Sequence, residues 1–134
     1  MEYPNAPETM TEAEWRERLG EMEFEVLRER GTEPRGSGDL LEVDDAGVFR
    51  CAGCGAALFE TDSKFDSGTG WPSFSDVREG AVETELDDRH GRRRTEVRCA
   101  QCHGHLGHVF ADGPEPTGKR YCINSVALDF EPRP

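Results

Sequence analysis

Two short cysteine knuckles constrain the folding of this chain more than any other feature of it. Cys51 and Cys54 form one CxxC pair, and Cys99 and Cys102 form a second. A two-residue gap lets both sulfurs of a pair reach one ion, and four thiolates make the donor set of a closed structural zinc site. The pairs also look like copies. Arg50-Cys51-Ala52-Gly53-Cys54 and Arg98-Cys99-Ala100-Gln101-Cys102 match at an offset of 48 residues, and leucine recurs seven residues after each leading cysteine, at Leu58 and Leu106. With 44 residues between Cys54 and Cys99, the intervening chain must fold back to close one site. A redox-active CxxC and two unrelated pairs are the competing readings. If one metal takes all four sulfurs, Cys122 is the free thiol.

A staple of this kind suits the composition. Hydrophobic residues make up 34% of the 134 positions, a low fraction for a single domain with a modest core. The net charge is −12, and so acidic a surface repels phosphate backbones, which disfavours nucleic-acid binding. Lys64 and Lys119 are the only lysines. An acid-rich, lysine-poor surface of halophilic type suits a cytosol of very high salt, where screening removes self-repulsion. An ordinary acidic protein from a GC-rich genome is the alternative. No apolar run approaches the length of a membrane span, and the first residues lack the flank of a signal peptide. With reduced, CxxC-grouped cysteines, these features predict a soluble cytoplasmic protein.

Residues 1–10 read as a flexible polar leader and 11–134 as one domain. Thr11-Glu12-Ala13-Glu14 has the form of a capping box. Trp15 and Leu19 follow on one helical face, and a second helical pattern over Met22, Phe24, Val26 and Leu27 stops at Gly31 and Pro34. From Val48 onward the chain reads as β. Residues 120–130 alternate, with Arg120, Cys122, Asn124, Val126, Leu128 and Phe130 sharing a side. That side grades from polar to apolar, as expected of a strand running from a site into a core.

A lone cysteine is more often a small buried hydrophobe than a nucleophile. Arg120 and Asn124 beside Cys122 argue otherwise, since a guanidinium favours thiolate over thiol. His103, His105 and His108 follow the second knuckle and are candidates for proton transfer or, should a cysteine not serve, for metal ligation. Strand alternation predicts His103 and His105 on one face, with His108 joining them only through a bend at Gly107. Trp71, held extended by Pro72, reads equally as core packing or as the wall of a small apolar pocket. The basic triplet Arg92-Arg93-Arg94 reads as hairpin surface. The residues alone therefore leave open a thiol enzyme, a zinc-ribbon binding module and a CxxC disulfide oxidoreductase.

The motifs taken together narrow this. His105-Leu106-Gly107-His108-Val109-Phe110, Asp112-Gly113-Pro114, Pro116-Thr117-Gly118 and Arg120-Tyr121-Cys122-Ile123-Asn124-Ser125 closely resemble the methionine-R-sulfoxide reductases, the MsrB family. So do Phe65-Asp66-Ser67-Gly68, Gly70-Trp71-Pro72-Ser73-Phe74 and both knuckles. The resemblance covers about residues 11–130. It implies a mainly β fold of two packed antiparallel sheets, tent-like, with a short helical N-terminus and one structural Zn2+ on Cys51, Cys54, Cys99 and Cys102. It implies reduction of oxidised methionine in peptides and proteins, one of the two epimer-specific repair reactions. Cys122 is then the nucleophile and His108 the proton donor. His105 and Asn124 hold the sulfoxide oxygen, Arg120 aids the thiolate, and Trp71 and Phe74 bind substrate. Many members carry a second, resolving cysteine where this chain has Thr69. An external thiol, thioredoxin or a small one, is therefore expected to reduce the Cys122 sulfenic acid directly. A monomer is expected.

Overall fold

The computed structural model describes residues 3, 4 and 6–133, with the backbone alone at His90; positions 1, 2 and 5 of the leader lie outside the described residues. Within the leader, Tyr3 Oη donates to Asp129 Oδ2 at 2.8 Å. A 3-10 turn spans Pro7–Thr9 with Pro7 buried, and Met10 packs against the core.

Helix α1 (Glu12–Arg18) begins as its sequence predicts. Thr11 Oγ1 accepts from Glu14 N, and Glu14 Oε1 accepts from Thr11 N, so two otherwise orphaned amides are satisfied. Helix α2 (Glu21–Glu29) carries half of the device, Glu23 Oε1 accepting from Gly20 N at 2.8 Å. It ends at Arg30 in the left-handed region. The helices bury Trp15, Phe24, Val26 and Leu27.

Two antiparallel sheets follow. The smaller has the order β2 (Ala57–Glu60), β1 (Gly47–Cys51), β9 (Leu128–Pro132). The larger runs β3 (Lys64–Phe65), β4 (Ser73–Phe74), β8 (Arg120–Ile123), β7 (His105–Phe110), β6 (Arg94–Cys99), β5 (Val82–Asp87). Aromatic rings join the sheets. Phe74 from the larger sheet stacks on Phe59 at 4.3 Å and meets Phe49 edge-on at 5.0 Å. Tyr121 lies 5.8 Å from Phe59. Such ring pairs contribute beyond the area they bury.

The alternation over residues 120–130 does not make one strand. β8 stops at Ile123, a 3-10 turn occupies Ser125–Ala127, and β9 resumes in the other sheet. Asn124 N still donates to Leu106 O on β7, the last bond to the larger sheet, and the Ser125 hydroxyl then accepts from Leu40 N. From Ser125 the chain turns and passes to the other sheet.

Candidate active site and metal centre

The repeated knuckles fold alike, bond for bond. Cys51 N donates to Ala56 O at 2.8 Å and Gly55 N to Cys51 O at 2.8 Å; 48 residues on, Cys99 N donates to Gly104 O at 2.9 Å and His103 N to Cys99 O at 2.8 Å. Each turn needs a left-handed residue, supplied by Gly55 (φ 81°) and by His103 (φ 63°). His103 is therefore a turn residue at the surface, where Nδ1 lies 3.1 Å from a Glu83 carboxylate oxygen. It does not join His105, contrary to the alternation reading.

The turns bring four buried sulfurs together. Cys51 and Cys102 are 3.6 Å apart and Cys54 and Cys99 3.5 Å, with all four sulfurs within 4.8 Å of one another. Sulfurs bound to one zinc at about 2.3 Å in a tetrahedron sit about 3.8 Å apart, so the cluster fits a single metal ion. Thiol–thiol hydrogen bonds pull Cys54 down and, together with burial, push Cys51 up. The helices brace the cluster: Arg18 Nε donates to Gly53 O at 3.0 Å and Arg28 to Cys102 O at 2.9 Å.

A cleft of about 270 Å³ opens elsewhere on the larger sheet, walled by Trp71, His108, Phe110, Arg120, Cys122 and Asn124, with Thr32, Thr69, Arg92 and Arg94 around them. Strand pairing sets its floor. His108 on β7 is the direct partner of Cys122 on β8, and Phe110 is the partner of Arg120, so the four side chains share one face. Gly107 permits the approach, because a Cβ there would come within 2.0 Å of the Cys122 carbonyl oxygen.

Cys122 is half-buried. Burial pushes its thiol up; hydrogen bonds from the Thr69 hydroxyl and the Arg120 guanidinium pull it back without winning, and the Glu33 carboxylate adds to the rise. The resting form at neutral pH is the thiol, where the Arg120 neighbour alone suggested a thiolate. Arg120 is fixed by two bonds to Asp112, at 2.8 and 3.1 Å, and lies 4.4 Å over Phe110.

His108 Nε2 is 2.8 Å from Asp87 Oδ2. That bond fixes the tautomer and leaves Nδ1 for the cleft. Burial lowers the imidazole against the pull of Asp87, so His108 rests neutral. Asp87 is itself held well below the carboxylate range by Arg89, which donates through Nε and Nη2 at 2.9 and 3.0 Å. His105 lies behind His108, with ring centroids 5.5 Å apart. A β-bulge at Leu106 flips the strand parity, since Val97 pairs with Gly107 and Arg98 with His105. The bulge, and not a bend at Gly107, puts the two imidazoles on one side. His105 is fully buried, bonded to Glu96 at 2.7 Å, and outside the cleft lining. Glu96 also takes a bidentate contact from Arg30.

Asn124 accepts from Glu33 N at 2.9 Å and donates one amide hydrogen to Leu106 O at 3.0 Å, which leaves the other for a ligand. Trp71 Nε1 donates to Glu33 O at 3.1 Å, so the same residue orients both. Phe74 is displaced from the role the resemblance gave it. In β4 it alternates with Ser73, the residue paired to Cys122, and it therefore points into the aromatic core. Asp87, Glu96, Arg89 and Glu33 were not anticipated. Sequence alternation hides Asp87, since β5 inverts the expected pattern and leaves apolar Leu86 54% exposed and Asp87 1% exposed.

A cysteine paired with a histidine in an open cleft, on a β fold whose other four cysteines are gathered at a separate centre, is an arrangement suited to thiol chemistry on a knuckle-stapled sheet scaffold. The SelR domain matches residues 19–132. Peptide methionine sulfoxide reductase MsrB of Bradyrhizobium diazoefficiens is 56% identical over 124 residues, 92% of this chain and 89% of its own length. The protein of that name from Chromohalobacter salexigens is 51% identical over 91% of this chain and 93% of its own. The chain belongs to the MsrB family. The Mis18 "Yippee-like" domain shares the fold, with a TM-score of 0.54 at 18% identity over 66% of this chain and 98% of that one.

Proposed function

We propose that the protein reduces the R epimer of methionine sulfoxide, in peptides and proteins, to methionine, with Cys122 as nucleophile. The observation that carries the mechanism is the direct pairing of Cys122 with His108 in a cleft walled by Trp71. A sulfoxide is a poor electrophile until its oxygen is protonated, so a thiolate and an acid must converge on one S–O bond. The raised thiol and the lowered imidazole retain one transferable proton between them. Passing that proton from Cys122 to His108 Nδ1 creates both reagents at once. Arg120 and Thr69 then steady the thiolate, and Asp87 steadies the imidazolium.

Trp71 packs the substrate methyl group, and the spare Asn124 amide N–H holds the oxygen while His108 protonates it. The thiolate attacks the sulfoxide sulfur, and oxygen passes to Cys122 as a sulfenic acid. Methionine sulfur gains the two electrons that Cys122 loses. His105 acts through His108, from behind it. With Thr69 beside Cys122 and the other four cysteines clustered, an external thiol, thioredoxin or a small one, attacks the sulfenic acid. Water leaves, and a second thiol resolves the mixed disulfide. The four knuckle cysteines hold one Zn2+ ion, which when bound cross-links the two halves of the chain and supplies no chemistry to the cleft. Such a protein works as a monomer in the reducing cytoplasm. Among the described residues no helix is long and apolar enough to cross a membrane.

Purified protein should contain one zinc per chain and reduce an R-sulfoxide peptide, but not its S epimer, with thioredoxin or dithiothreitol. Cys122→Ser should keep the zinc and lose activity by about 1000-fold or more. Retained turnover in that variant would refute the mechanism.

A further inference from the structure

The cleft carries a charge opposite to that of the protein. The chain has 28 acidic and 16 basic residues, yet among the described residues no carboxylate lines the cleft, and Arg92, Arg94 and Arg120 all do. The three differ in how far they are occupied. Arg120 is clamped to Asp112 and stacked on Phe110. Arg94 Nη2 sits 3.7 Å from Asp87 Oδ2, and its buried Nε has no partner. Arg92, exposed at the rim, makes no ion pair among the described residues. It follows the 3-10 turn Arg89–Gly91 with extended backbone and stands two residues before Arg94. Positions two apart in extended chain project to the same side, so both guanidinium groups serve one rim.

We propose that Arg92 and Arg94 bind a carboxylate of the substrate close to the oxidised methionine. The preferred substrates are therefore sulfoxides in acidic surroundings. The proposal rests on the reading of the cleft as the sulfoxide site. A protein of net charge −12 repels anions at long range, but the Debye length is about 8 Å at physiological ionic strength. Inside a cleft the nearest charges dominate, and low-dielectric walls focus their field. Arginine suits the task, because its planar fork meets a carboxylate through two parallel hydrogen bonds. The same chemistry has two sources: an aspartate or glutamate side chain flanking the methionine, or the terminal carboxylate of methionine sulfoxide itself.

Three pentapeptides of the R epimer, with the sulfoxide flanked by aspartate, asparagine or lysine, test this by kcat/KM. The intact enzyme should favour the aspartate peptide over the asparagine one by about three- to fivefold, with lysine worst. Molar salt should flatten the order. R92E should bring the aspartate-to-asparagine ratio below one, and R92Q should bring it near one. N-acetyl-methionine-R-sulfoxide against its amide reads the terminal carboxylate, and a preference for the acid there assigns that source. Calorimetric titration of the same compounds into Cys122→Ser protein reads the rim without turnover, so a failed reductase reading stays distinct from a failed carboxylate site. The proposal is overturned by ratios of one or less for both sources in the intact protein. Ratios that R92E leaves unchanged also overturn it.

Discussion

The cysteine cluster and the cleft are built on opposite principles. At the cluster the supports come in pairs: two copies of one turn, matching backbone bonds, four buried sulfurs, and arginines from both helices on the knuckle carbonyls. Around the cleft, polar groups are buried with demands unmet. His105 Nε2, Glu33 Oε2 and Arg94 Nε have no partner among the described residues, against one such atom, Arg98 Nε, beside the second knuckle. Each such atom costs about 1–3 kcal/mol, and structural zinc contributes about 10–16 kcal/mol in small metal-folded domains. The comparison teaches that a small, polar-rich domain can keep unpartnered polar groups around a cleft when a symmetric cysteine cluster elsewhere helps to hold it folded.

The hardest blow to that contrast is Cys99→Ala. It should cost several kcal/mol, release the metal and abolish cooperative thermal unfolding, as calorimetry and metal analysis would record; a folded, zinc-bearing variant would break the comparison. His108→Gln belongs to the other end. It should lower kcat by about 100- to 10,000-fold with little change in melting temperature.

The intact enzyme's kcat/KM should be flat across neutral pH. On the acid side it falls once His108, whose proton affinity is depressed, is already protonated and cannot take the thiol proton. On the alkaline side it falls once Cys122, whose proton affinity is raised, has lost the proton needed by the oxygen. A single limb in the middle of that window would show that the two groups do not act as a pair. Thr69→Cys is the mildest change. Thr69 and Cys122 line the same cleft, so an internal disulfide should accumulate after one turnover without an external thiol, while the fold is retained. Mass spectrometry of the quenched reaction checks it.

The cysteine cluster was legible because its information is local. A CxxC spacing fixes a turn, and the 48-residue repeat already implied the symmetry that Gly55 and His103 share. The capping box of α1 was legible for the same reason. At the cleft, sequence named Cys122, His108, Arg120, Asn124 and Trp71, and all five line it. It could not place the support behind them. Asp87 and Glu96 look like the polar half of two surface strands until β5, β6 and β7 are set in register. A one-residue bulge at Leu106 then inverts which histidines share a face. Alternation likewise carried residues 120–130 past Asn124 as one strand, because period-two patterning has no term for a switch between sheets.

That switch ties the two ends mechanically. The turn after Ile123 hands the chain from the nucleophile's sheet to β9, where Leu128 pairs with Cys51, and Ala52 N donates to Ala127 O at 2.8 Å. Five residues thus separate the reactive sulfur from a residue seated against the first knuckle. A graft that moved β8 to another scaffold without that knuckle would lose the anchor on one flank of Cys122. A transplant of the cleft should therefore carry the first knuckle with it.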